Sequence, residues 1–173
     1  MKRFPPILTI ALALTLALNV SAHAAERVYK KPSDFIRSAF GGAIPPTSVI
    51  SLSGEVKARA KKILAHNYRE SRVRYWKQGE RSVWILEEIG KTKPITTGFI
   101  VEGGRIRSVE ILIYRESHGW EVSKPFFTKQ FSRASLKSGE QLSARIKNVA
   151  GATLSVRAVS KLARLALYLD SQS

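Results

Sequence analysis

Cysteine is absent from all 173 residues. That one absence removes disulfides, covalent haem held through Cys-x-x-Cys-His, iron–sulfur clusters and thiolate metal sites together, so the core has to hold by packing alone. Histidine is scarce at three residues. Past His23 only His66 and His118 remain, too few to build a histidine metal centre, and no metal site is assigned. There is no Gly-x-Gly-x-x-Gly and no βαβ alternation, which excludes a Rossmann-type dinucleotide site. No paired carboxylates mark a hydrolase, and Glu116, Ser117 and His118 lie too close in sequence to be taken as a triad, so no catalytic residue is assigned. Acidic residues are few, 13 Asp and Glu against 29 Lys and Arg.

What is present begins with export. Lys2 and Arg3 precede an apolar run from Ile7 to Val20, and Ala22-His23-Ala24 then places small residues where a signal peptidase reads them. The run is short of the ~20 apolar residues that span a bilayer. Residues 1–24 are therefore expected to be a signal peptide and the mature protein periplasmic. Without Lys2 and Arg3 the remaining chain has 27 basic against 13 acidic residues, a net charge of +14. Such a field suits nucleic acid, an anionic membrane surface or an acidic protein. Export argues against nucleic acid, and the charges are spread from Arg27 to Arg164 without one recognition helix. Membrane-surface association stays open.

The remaining chain is long enough for one domain with its own core. Pro32 to Phe40 reads as a short helix with Phe35, Ile36, Ala39 and Phe40 on one face, stopped by Gly41-Gly42. Ser53 is placed to cap a second helix carrying Val56, Ala60, Ile63 and Leu64 at helical spacing. From Val73 the period changes. Arg72–Trp76, Ser82–Leu86, Ile95–Val101 and Ile106–Tyr114 are β-branched and aromatic runs, and Glu102-Gly103-Gly104 joins the last two as an antiparallel hairpin. Val156, Val159, Leu162, Ala163, Ala166 and Leu169 then fall at three- and four-residue spacings, an amphipathic C-terminal helix. The fold expected is a single α+β domain: an antiparallel sheet, two N-terminal helices, and a C-terminal helix packed on the sheet. Residues 25–72 form the N-terminal helical segment and 73–173 the functional domain.

Gly151-Ala152-Thr153-Leu154-Ser155 enters that last helix. A helix start leaves unpaired N–H groups and a partial positive charge, so an anion is favoured there, and glycine lets it approach the backbone. Thr153 presents a hydroxyl to such an anion. The plain alternative is that Thr153 or Ser155 only caps the helix. Upstream, Glu116-Ser117-His118-Gly119-Trp120 gathers a carboxylate, a hydroxyl, an imidazole and an indole in a loop after the last strand; without further clues it is a decorated turn.

These two stretches together resemble the FMN-binding domain family of extracytoplasmic, flavin-linked electron-transfer proteins, over about Trp84 to Leu169. In that family the threonine of Ser/Thr-Gly-Ala-Thr is esterified to the phosphate of FMN, and Thr153 is the matching residue. The family's aspartate six residues before the threonine is Lys147 here, and its serine or threonine before the glycine is Ala150. The resemblance implies FMN as cofactor, with Arg157 and the helix amides on the phosphate and Ser155 touching it. Glu116, Ser117, His118, Gly119 and Trp120 would lie against the flavin ring. It implies a redox carrier rather than an enzyme with its own substrate, a flavin transferase for attachment, and a cytochrome or membrane reductase as redox partner. The alternative is a non-redox periplasmic binding or accessory module that keeps the fold without covalent flavin.

Overall fold

The computed structural model describes residues 26–173; the expected signal peptide lies outside the described residues. The elements are β1 (Arg27–Val28), α1 (Pro32–Ala39), β2 (Thr47–Ser51), α2 (Gly54–Leu64), β3 (Arg72–Gln78), β4 (Arg81–Ile89), β5 (Pro94–Glu102), β6 (Arg105–Tyr114), α3 (Pro125–Thr128) and α4 (Thr153–Asp170), with short 3₁₀ turns between β6 and α4. Among the described residues six strands make one sheet in the order β1-β6-β5-β4-β3-β2, each neighbouring pair antiparallel. The four strand runs and the two N-terminal helices are those read from the sequence. β1 and β2 are additions. β2 is a five-residue edge strand with alternating, half-exposed residues, too short and too polar to stand out from the loop after Pro45-Pro46.

The sheet separates two cores, because successive side chains of a strand point to opposite faces. On one face Trp84, Leu86, Ile95, Phe99 and Val101 meet the buried stripe of α4, joined by Ala60, Ile63 and Leu64 of α2. On the other, Phe35, Ile36 and Ala39 of α1 pack on Val83 and Leu112. Gly98 lets α1 approach so closely that a Cβ there would fall 2.5 Å from the Phe35 ring. At its far end α4 is tied to β4 by Ser82, whose hydroxyl donates to Asp170 Oδ1 while accepting from Trp84 Nε1.

The hairpin of β5 and β6 has one irregularity that decides the site. Thr97 pairs with Ile111 but Thr96 with Ile113, so Leu112 is an extra residue in β6. A bulge of this kind reverses the alternation beyond it. Leu112 and Ile113 both face α1, and Tyr114, which strict alternation from Ile111 would send to the same side, turns instead into the α4 core.

Candidate functional site

The loop after β6 and the start of α4 meet at Tyr114. Its fully buried hydroxyl donates to the His118 carbonyl and shares a 2.8 Å hydrogen bond with Ser155 Oγ. Burial raises the Tyr114 pKa, and the bond to Ser155 works against that rise. Gly119 closes the same contact at φ +84°; a Cβ there would stand 2.9 Å from both the Ser155 and Tyr114 hydroxyls and 3.3 Å from Ala152 Cα. Two stretches singled out in the sequence, 116–120 and 151–155, are thereby packed directly together, although nothing in the spacing of either shows it.

At the start of α4 the N-cap residue is Ala152, which has no side chain able to cap. The first bond into the helix runs from Val156 N–H to the Ala152 carbonyl at 2.9 Å. The amides of Thr153, Leu154 and Ser155 precede it and have no acceptor within the helix. Neither Thr153 nor Ser155 is the cap: Ser155 is buried and turned inward to Tyr114, while Thr153 is exposed at the first helical position. Gly151, at φ +77°, is the third residue of a turn closed by Ala152 N–H on the Val149 carbonyl, where the left-handed conformation suits glycine. A Cβ at Gly151 would meet nothing within 4 Å, so the backbone lies open there.

Asn148 Nδ2 donates to Thr153 Oγ1 at 2.9 Å, leaving the hydroxyl proton free. Both line a groove of about 600 Å³ with Ile146, Val156, Arg157, Ser160, Lys161 and Arg164. That volume lies within the roughly 300–1,000 Å³ of small-molecule sites. Arg157 is exposed one turn beyond Thr153, and Leu154 is partly exposed beside it.

The loop 116–120 divides by role. Glu116 is buried and its carboxylate accepts the amides of Lys91, Thr92 and Lys93 in the turn between β4 and β5, with Thr92 Oγ1 at 3.2 Å. Burial pulls its pKa up, but the three amides outweigh burial and hold the carboxyl below its ordinary range. Its charge is thus committed to that turn. Ser117 and His118 are exposed and hydrogen-bonded to each other at 3.0 Å. Trp120 is partly exposed, with Lys124 5.0 Å and Arg27 5.9 Å from its ring centroid. Next to it, Glu121 Oε2 is buried without a hydrogen-bond partner. Tyr114, Asn148 and Glu121 are the residues the sequence reading does not assign to the site. Asn148 stood in the right stretch without a distinguishing spacing, and Tyr114 reads as an ordinary strand residue.

Unpaired helix amides, an exposed hydroxyl and an arginine beside a groove define a module that binds an anionic, phosphate-bearing ligand. Residues 90–168 match the FMN-binding domain family, and the chain carries a domain of that family, with FMN as its cofactor. The match begins at Gly90, in the turn held by Glu116, and ends in the last turns of α4. Among curated proteins, none matches the chain.

Proposed function

We propose that this chain is an exported electron carrier whose FMN is held at the start of α4, attached through a phosphoester to Thr153. The observation that carries the reading is the uncapped α4 start, which leaves Thr153 exposed on the groove with its oxygen positioned by Asn148. When bound, FMN supplies one- and two-electron transfer at its isoalloxazine ring. The amides of Thr153, Leu154 and Ser155 and the Arg157 guanidinium receive the phosphate charge. Attachment would exchange one P–O bond for another: the Thr153 oxygen would displace the leaving group of an activated FMN precursor and release its proton, so the oxygen that accepts from Asn148 would be retained. Ser117, His118 and Trp120 would be the residues nearest the ring, and the Tyr114–Ser155 bond keeps their loop against the helix. Attachment falls to a flavin transferase in the periplasm, and the redox partner is a cytochrome or a membrane reductase.

Mass spectrometry of the intact mature protein from its own host reads signal cleavage and covalent flavin together. Wild type should carry the added mass, Thr153→Ala should lose it, and Thr153→Ser should retain part of it. Flavin that dissociates completely in denaturant would replace the phosphoester with a reversible site. Lys147 and Ala150 favour a second reading, a non-redox accessory module. Protein that stays colourless when transferase and flavin are supplied would establish that reading and sink the carrier.

A further inference from the structure

Around the start of α4 three large apolar side chains stand in solvent: Trp120 at 36 %, Leu154 at 43 % and Phe126 at 60 % exposure. The segments that carry them pack together at the start of α4. Gly119 abuts Ala152 and Ser155, which sets Trp120 beside the first turn of α4. The Phe126 carbonyl accepts from Gln130 Nε2, and Gln130 Oε1 accepts the Lys147 amide at 2.7 Å, next to the Asn148 that holds Thr153. Within residues 119–131 and 144–157, Lys124, Lys129, Arg145, Lys147 and Arg157 face a single carboxylate, Glu121, and one of its oxygens is buried. Among the described residues none of those five cations is in an ion pair.

We propose that this surface docks an acidic redox protein, with Phe126 and Leu154 at the dry centre, Trp120 at its flavin-facing edge, and Lys124, Lys129, Lys147 and Arg145 as a cationic rim. The proposal rests on FMN being held at Thr153, because that places the cofactor at the edge of the contact. An apolar centre with a charged rim is the anatomy of a protein interface, and unpaired rim charges of one sign raise the association rate of a partner of the other sign. A protein rather than a lipid surface is favoured by Trp120: Lys124 and Arg27 lie over its ring, so burying the indole in an apolar layer would carry two cations with it.

The test uses cytochrome b5, a small acidic haem protein, as probe, with binding followed by titration calorimetry on the mature protein with and without flavin. Binding is expected at low ionic strength and should fade as salt is raised toward physiological levels. The triple variant Lys124→Glu, Lys129→Glu, Lys147→Glu should weaken it at least about tenfold, and Phe126→Ser should weaken it several-fold with the fold intact. A control triple of the same net charge, Lys57→Glu, Lys61→Glu, Arg72→Glu, should stay within about twofold of wild type. Equal losses in the two triples would overturn the proposal, since the attraction would then belong to the overall charge. So would absence of binding to cytochrome b5, including the case where anionic phosphatidylglycerol vesicles bind instead. Protein that holds no flavin but still docks would sink the cofactor reading and with it the redox purpose of the contact, leaving only an acidic-protein dock; flavin-loaded protein that does not dock would sink the docking surface alone.

Discussion

Gly119 stands where two constraints coincide, a left-handed backbone and two hydroxyl oxygens too close for any Cβ. Alanine would meet the strain of φ +84° and overpack the Tyr114–Ser155 pair, each worth on the order of 1–2 kcal/mol. Gly119→Ala is therefore expected to lower stability by roughly 2–4 kcal/mol in urea unfolding and to reduce flavin retention. Gly151→Ala is the comparison. It shares the positive φ but meets no neighbour, so it should cost only about 1–2 kcal/mol. Tyr114→Phe removes the hydroxyl that joins the His118 carbonyl to Ser155 and leaves a buried serine short of its partner, at a cost of about 1–3 kcal/mol. If Tyr114→Phe left both stability and flavin content unchanged, the anchoring role assigned to this hydroxyl would fall.

Two element junctions respond to pH in opposite directions. At the β4–β5 turn the Glu116 pKa is lowered by three backbone amides despite burial. A folded-state pKa below the unfolded one contributes stability that is present above the unfolded value of about 4.5 and is lost as pH falls through the folded value. The Glu116→Gln variant should be less stable than wild type at neutral pH, and the difference should shrink below about pH 4.5 in acid titrations of the urea midpoint. At the end of α2, His66 Nε2 lies 2.8 Å from Glu88, which is buried and also has Lys161 of α4 at 3.6 Å. The hydrogen bond with Glu88 and a second with the Asn67 carbonyl raise the His66 pKa. Its contribution is complete below 6.5 and declines as pH rises through the folded value. His66→Gln should flatten the stability profile above that pH. An unchanged slope would mean that the pair does not form in solution.

At the scale of the whole molecule, the N-terminal segment belongs to the same sheet as the FMN-binding domain. β2 pairs with β3 along five residues, and α1 covers Val83 and Leu112. A fragment of residues 73–173 would expose that second core and open the β3 edge. It is expected to lose near-UV circular dichroism and to bind hydrophobic dyes. A fragment that melts cooperatively at the wild-type temperature would show that the first 72 residues are dispensable. The +14 excess of the chain without Lys2 and Arg3 also acts globally, whereas the proposed docking surface depends on where its unpaired cations lie.

The element types were legible in the sequence because they are local: the α4 stripe has helical period, the runs from Arg72 to Tyr114 are β-branched and punctuated by glycine, and Gly151-Ala152-Thr153 stands before an apolar helix. Residue type and spacing reached only an anion-favouring helix start; FMN was implied by the resemblance of the 116–120 and 151–155 stretches to the FMN-binding domain family. Three things were decided by tertiary structure. The edge strand β2 exists through its pairing with β3, which its own weak pattern could not announce. The cap of α4 fell to Ala152 because packing drew the Ser155 hydroxyl inward to Tyr114, leaving the helix amides unpaired. Tyr114 itself reached that place through the extra residue at Leu112, and a bulge is a property of two paired strands rather than of either strand's sequence.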